Sequence, residues 1–199
     1  MPRLSLTDFV DIVVSSGTPK ANKVRTVKTR PAYNPAFDFY KPLRDHIEKT
    51  HKGGKGKAHL KTLMPTVTDK KKLGAYPALL EGYRKWWGNK KLVWFQPPSG
   101  IYSDHGIDVS VNPELGLRIG GKPHLIKLYF KAEPLTKNRI DVIHFLMERR
   151  LSKQSPAKTT MAVLEIRRPK LYTPTVVIQN LAAVLSAELA YVGTLWPHV

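Results

Sequence analysis

The sequence contains no cysteine. That absence excludes disulfides, thiolate zinc sites, iron–sulfur clusters and a cysteine nucleophile, and it is compatible with a reducing compartment. No apolar run approaches the ~20 residues of a membrane-spanning helix, and no basic amphipathic stretch carries an apolar side fit to lie on a membrane. The first residues do not read as a signal peptide, because Asp8 and Asp11 interrupt the apolar positions and Arg3 is the only early cation. Internal repeats, long low-complexity tracts and helix-turn-helix, zinc-finger or RNA-recognition signatures are all missing. An intracellular location, cytoplasmic or nucleoid-associated, is the expectation.

Negative charge is also scarce: 15 Asp and Glu stand against 33 Lys and Arg, a formal net charge of +18 over 199 residues. Such a balance points to a polyanionic partner, DNA or RNA first, since each cation placed on a phosphate releases condensed counterions. The cations gather between Lys20 and Lys72. Lys20, Lys23, Arg25, Lys28 and Arg30 come first, then Lys49, Lys52, Lys55, Lys57 and Lys61, then Lys70, Lys71 and Lys72. Solvated loops that only aid solubility are the plainer reading of the same residues, and an anionic membrane surface is a weaker rival.

With 42% apolar residues, the chain can form one globular domain, or a core preceded by an N-terminal extension. The composition and patterning divide it into a helical, basic region over 1–67 and an α/β core over 68–199. Ser5 followed by Asp8 marks a helix start, and Leu6, Phe9, Val10, Val13 and Val14 recur at helical spacing until Gly17. From Lys20 to Pro35 the chain is basic and non-periodic, which predicts an extended arm. Leu43 and Ile47 suit a short helix entered at Lys41-Pro42, and the Gly-Lys stretch from His51 to Lys57 predicts a flexible loop. That loop lacks the spacing of a phosphate-cradling Walker motif.

Tyr76, Leu79, Leu80, Tyr83, Trp86 and Trp87 predict an amphipathic helix with Pro77 in its first turn and Gly88 at its end. The two tryptophans read as core, with base stacking as the lesser alternative. Strand-like periodicity follows at Leu92–Phe95, Ile107–Val111, Leu115–Ile119 and Leu125–Phe130. In the last of these, Leu125, Lys127, Tyr129 and Lys131 share one face. Two lysines alternating on an otherwise apolar strand predict a face open to solvent or ligand. Thr136 opens a helix, Thr159–Ile166 reads as a buried strand, and a closing helix is expected from Val177 to Leu195 with Ile178, Leu181, Val184, Leu185, Leu189 and Val192 inward. The fold class is therefore α/β, a central mixed sheet flanked by helices with a helical, basic N-terminal extension.

Two local clusters invite chemistry and are better explained otherwise. Asp141, His144 and Glu148 share a helix face but form its polar side, and Ser103-Asp104-His105 holds triad residue types as neighbours in one loop, where the geometry of a triad is not reached. His46, His51 and His59 show no ligand spacing.

The order helix, strands, helix, strand, helix from Tyr76 to the C-terminus resembles the αβββαβ core of the restriction-endonuclease-like, PD-(D/E)xK, superfamily. The resemblance implies acids that bind Mg²⁺ near strand ends and a lysine two residues past the second acid, which together stabilise attacking water and leaving oxygen at a phosphodiester. Asp108 or Glu114 would stand for the first acid, Lys127 for the lysine and Glu81 for an auxiliary acid, these carboxylates being the metal ligands. The second acid is missing: Leu125 precedes Lys127 by two, and Tyr129 precedes Lys131 by two. The expected function is accordingly nucleic-acid binding through phosphates, without intact nuclease chemistry and with no cofactor. Lys23, Arg25, Lys28, Arg30, Lys52, Lys55, Lys57, Lys127 and Lys131 are the expected contacts. The alternatives are a Mg²⁺-dependent nuclease and a basic scaffold subunit with a protein partner in a larger assembly.

Overall fold

The computed structural model describes residues 1–174 and 179–199. It is α/β, with two mixed sheets and helices flanking them. The order is β1 (Arg3–Ser5), α1 (Leu6–Val13), α2 (Gly17–Lys28), α3 (Lys41–Lys52), α4 (Lys70–Trp87), β2 (Leu92–Phe95), β3 (Gly100–Asp104), β4 (Ile107–Val111), β5 (Leu115–Ile119), β6 (Lys122–Tyr129), α5 (Lys137–Leu151), β7 (Thr160–Glu165), β8 (Lys170–Tyr172) and α6 (Leu181–Leu195). Short 3-10 segments at Pro35–Phe37 and Lys57–Thr66 lie either side of α3. No described helix is long and apolar enough to cross a membrane.

The larger sheet has the order β2-β5-β6-β7-β8. Its centre is the parallel pair β6–β7, with Leu125 opposite Met161 and Ile126 opposite Ala162. A parallel pair requires a crossover, which α5 provides. Alternation along β6 and β7 sends Leu125, Tyr129, Met161 and Val163 into one core with α1, α5 and α6, and Ile126, Leu128, Ala162 and Leu164 into a second core with α3 and α4. The sheet is thus covered on both faces, contrary to the open face expected around Lys127.

Ile107–Val111 does not join this sheet. It pairs with β1 in parallel and with β3 antiparallel, Arg3 lying opposite Asp108 and Tyr102 opposite Val109. The N-terminal residues are therefore structural: Leu4, Leu6, Phe9, Ile12 and Val24 are in the first core and Leu43, Ile47, Leu60 and Leu63 in the second. Both cores take residues from either side of position 67.

The segment expected as an extended arm is a helix over Gly17–Lys28. Only Val24 in it is buried, so its apolar period is too faint to read. Its stability comes from docking: Lys20 pairs with Glu188 at 2.7 Å, Lys28 donates to the Trp196 carbonyl at 2.7 Å, and just beyond it Arg30 pairs with Asp8 at 2.9 Å. Helix α1 starts where expected, the Ser5 hydroxyl accepting from the Asp8 amide at 3.0 Å. Helix α4 begins earlier than expected, capped by Asp69 accepting from the Lys72 amide at 3.0 Å, so that Pro77 lies inside the helix rather than in its first turn. In α6 the side chain of Val184 is 50% exposed rather than inward. The expected start of that helix at Val177 and Ile178 lies outside the described residues.

Helix α4 approaches β7 closely because Gly82 has no side chain; a Cβ there would lie 2.1 Å from the Ile166 carbonyl oxygen. Gly74 on the same helix has nothing within 4 Å of the same position. Helix propensity alone favours alanine at both sites by about 1 kcal/mol. We expect opposite signs in urea denaturation: Gly74→Ala raises the midpoint, whereas Gly82→Ala lowers stability by about 1–3 kcal/mol or more through overpacking.

Candidate nucleic-acid interface

Helices α3 and α4 and the Lys57–Thr66 segment cover one face of the large sheet. Between residues 41 and 91 the chain has fourteen lysines and arginines against four carboxylates. The apolar residues of this layer, among them Leu43, Ile47, Leu79 and Tyr83, face the sheet. The cations are left on the outside. Trp86 and Trp87 are 4% and 8% exposed and present no ring to solvent; Trp87 stacks on His51 with centroids 4.3 Å apart.

The C-terminal ends of α3 and α4 meet at one corner. The glycines after α3 form a bonded turn, with the Gly54 amide donating to His51 and the Lys55 amide to Thr50, each at 2.9 Å. Gly54 takes φ 62°, a conformation that glycine adopts without strain. Lys57 then reaches across to the Gly88 carbonyl at 2.8 Å, and Lys90 donates to the Trp86 carbonyl. Helix C-termini favour cations through their unpaired carbonyls, which accounts for these two lysines. Lys49, Lys52, Lys55, Lys85 and Lys91 are exposed and have no carboxylate partner among the described residues. They form a positive surface of like charges not absorbed by the fold.

Beneath it His51 is 5% exposed, its Nε2 2.6 Å from the Tyr83 hydroxyl. Burial pushes the imidazole down to about 4 and the Tyr83 phenol well up. His51 is therefore neutral near pH 7 and adds nothing to the surface charge.

The residues expected from the nuclease resemblance are only partly brought together. Glu114, just ahead of β5, meets Lys127 of β6 at 2.5 Å, and its other oxygen accepts from the Leu128 amide at 2.7 Å. Lys127 also donates to the Asn112 carbonyl at 3.1 Å. Asp108 is in the other sheet, accepting from the Ser103 hydroxyl at 2.6 Å with Arg3 at 3.9 Å. Glu81 is on the outside of α4 with Arg84 at 2.9 Å. Among the described residues no three His, Cys, Asp or Glu side chains group in a way that could hold a metal. Leu125 is wholly buried in the first core.

Lys131 lies just past β6 and is tied to Asp11, which Arg139 also grips. Burial would raise the Asp11 carboxyl, but the hydrogen bonds from Arg139 and Lys131 outweigh it and hold the group below its ordinary value. Of the expected N-terminal contacts, Lys28 and Arg30 are committed within the fold, while Arg25 is exposed and Lys23 half-buried. His144 is buried against the Tyr172 carbonyl at 3.2 Å, and Asp141 pairs with Lys137 at 2.6 Å, so that helix face does not converge either. In the loop cluster, Ser103 turns to Asp108 while His105 contacts Ser186 at 3.0 Å. The corner surface of α3 and α4 is only half legible in the sequence: its loop lysines stand out, but Lys85 and Lys91 join them only through the meeting of the two helix ends.

No protein family, curated protein or solved structure matches this chain.

The buried His51 sets a pH dependence of stability. Its folded value is about 4 against an ordinary 6.5, so the unfolded chain takes up the proton first as pH falls. Stability is then full above about 6.5, declines toward about 4, and stops declining there, a loss on the order of 3 kcal/mol from this group. His144, lowered by burial, acts in the same direction. Chemical denaturation of His51→Gln at pH 7 and pH 4.5 should show a smaller drop than in the parent; an equal drop would remove His51 as its source.

Proposed function

We propose that this chain binds nucleic acid through its phosphates, with the outer surface of α3 and α4 as the main contact, in an intracellular setting and without intact nuclease chemistry. The observation that carries the reading is the corner where two helix C-termini gather Lys49, Lys52, Lys55, Lys85 and Lys91 in exposed positions, none paired with a carboxylate among the described residues. Like charges held together by the fold repel one another, and an array of phosphates relieves that repulsion while releasing counterions. Rigid helices also fix the spacing of the cations, which sets register along a backbone.

The path α4, β2, β5, β6, α5, β7 runs in the αβββαβ order, with β3 and β4 as an inserted hairpin. That order supports reading the chain as a degenerate relative of the restriction-endonuclease-like nucleases. Pro113-Glu114 and Lys127 then occupy the places of the first acid and the lysine, and buried Leu125 occupies that of the second acid. A carboxylate neutralised by a lysine at 2.5 Å, with leucine beside it, is a poor place for a divalent cation, which requires several free oxygens.

Binding of labelled DNA and RNA across a salt series tests the interface. Affinity should fall linearly on a log-log plot, and combined Lys52→Glu, Lys55→Glu, Lys85→Glu and Lys91→Glu substitution should lower both the affinity and the salt slope, by about 0.9 for each duplex phosphate that is no longer neutralised. Lys153→Glu and Lys158→Glu, in the connector between α5 and β7 and outside the α3 and α4 layer, should change neither. Binding that is undetectable at low salt, or equal in the corner variant and the parent, would sink the reading.

With Mg²⁺ or Mn²⁺ present, the purified protein should leave DNA and RNA uncut above background. Cleavage that persists through purification and disappears in Glu114→Gln would instead favour the metal-dependent nuclease.

A further inference from the structure

Strands β5 and β6 form a tight hairpin at the rim of the large sheet. They pair antiparallel from Leu115 opposite Ile126 to Ile119 opposite Lys122, which leaves Gly120 and Gly121 as a two-residue turn. Both take positive φ, 56° and 85°, as the central residues of a turn that follows the strand twist must. A Cβ at either glycine would meet no atom within 4 Å, so the turn stands clear of the rest of the molecule. On one side the hairpin runs past the end of β7, whose pairing with β6 starts at His124 opposite Thr160. On the other side Leu92 of β2 lies opposite Ile119, which sets Lys91, the residue before it, alongside the turn. The hairpin is thus the next element along from the α3 and α4 corner.

The hairpin carries a cation on each of its faces. Leu117 and Ile119 pack into the second core, so alternation puts Arg118 on the opposite face. There its guanidinium lies 6.0 Å from the centre of the Phe95 ring, and Phe95 packs against the first core. Lys122 is opposite Ile119 and shares its face, on the α3 and α4 side. Both cations are exposed, and neither has a carboxylate partner among the described residues. Their backbones belong to adjacent strands about 5 Å apart, while their side chains leave opposite sides of the sheet. The strands therefore hold two positive groups apart, with a tip between them that has no side chain.

We propose that the tip of the β5–β6 hairpin enters the major groove of a B-form DNA duplex, with Gly120-Gly121 leading and Arg118 and Lys122 each on the phosphates of one bordering strand. The inference rests on the phosphate-binding reading above and names its substrate class. A single strand offers one line of phosphates and cannot serve cations on opposite faces of a ribbon; a duplex offers two lines with a groove between them. The major groove of B-DNA is about 12 Å wide and admits a two-stranded ribbon, whereas the minor groove, at about 6 Å, does not. In an A-form RNA duplex the major groove is too narrow to be entered. The glycine tip brings no side chain to the base edges, so the contact fixes position along the duplex rather than sequence. Lys91, beside the turn, leads from the groove to the corner lysines, which meet the same backbone further along.

The test measures binding of one labelled sequence as duplex DNA, duplex RNA and single-stranded DNA across a salt series, for the parent, Lys122→Gln and the combined Arg118→Gln, Lys122→Gln variant. Glutamine removes the charge and keeps part of the stem, and circular dichroism and thermal melting check that the fold is retained. The parent should bind duplex DNA most tightly. On duplex DNA the log-log salt slope should shrink by about 0.9 in Lys122→Gln and by about 1.8 in the double variant, one phosphate for each cation removed; on duplex RNA and single strand it should not change. Should the double variant melt early, Lys122→Gln decides alone, because Lys122 is exposed and unpaired among the described residues. Parent affinity and slope on duplex DNA in both variants overturn the groove contact and leave the corner interface standing. So does an equal loss on all three nucleic acids, or a parent that binds duplex RNA as tightly as duplex DNA. Absence of binding in the parent overturns both readings together.

Discussion

The arrangement of the whole chain depends on covering both faces of the β6–β7 pair. Adjacent residues on these strands are apolar and point in opposite directions, Leu125 and Met161 to one side, Ile126 and Ala162 to the other. A strand pair apolar on both faces is stable only between two layers. One layer comes from α1, α5, α6 and the small sheet, the other from α3 and α4. The second layer is short of acids, so closing it over the sheet turns its lysines outward as a group. The positive corner is in this sense a by-product of core formation that a ligand can use.

The carboxylates show the complementary side of the same charge distribution. Of the 15 in the sequence, eleven are ion-paired with lysine or arginine within the chain. Several of these pairs fasten one element to another: Asp11 ties α1 to α5 and to the end of β6, Glu188 ties α6 to α2, and Glu114 ties the start of β5 to β6. Exposed pairs of this kind are individually weak, but half-buried ones such as Glu114–Lys127 fix orientation. Nearly every negative group acts inside the molecule, and the excess of cations is left for the surface.

Local signals are readable in the sequence and long-range ones are not. Ser5, Thr136 and Gly88 mark helix ends because capping is a matter of a few neighbouring residues. Strands β4 and β5 and the buried strand β7 show in their apolar patterning. Strand β1 does not, since its three residues become a strand only by pairing with β4, far along the chain. The same pairing removes Asp108 from the vicinity of Lys127, which no spacing in the sequence reveals. Lys127 and Lys131 look free in the sequence because their partners, Glu114 and Asp11, come from other elements. Helix α2 resembles an arm because a helix held by a few polar contacts and one buried valine leaves almost no apolar rhythm.

The parallel pairing of β1 with β4 has a further consequence during synthesis. Leu4 and Phe9 share a core with Val109, Met161 and Val192, so β1 and α1 have no complete binding site during synthesis until α6 has emerged. Contacts of such wide separation in sequence carry a large loop-closure cost and form late. The second core, in contrast, can assemble once β7 and Ile166 are made. The nascent chain therefore matures from the middle outward, and through that interval its amphipathic first helix is an exposed apolar segment that a chaperone would find before the rest of the protein does.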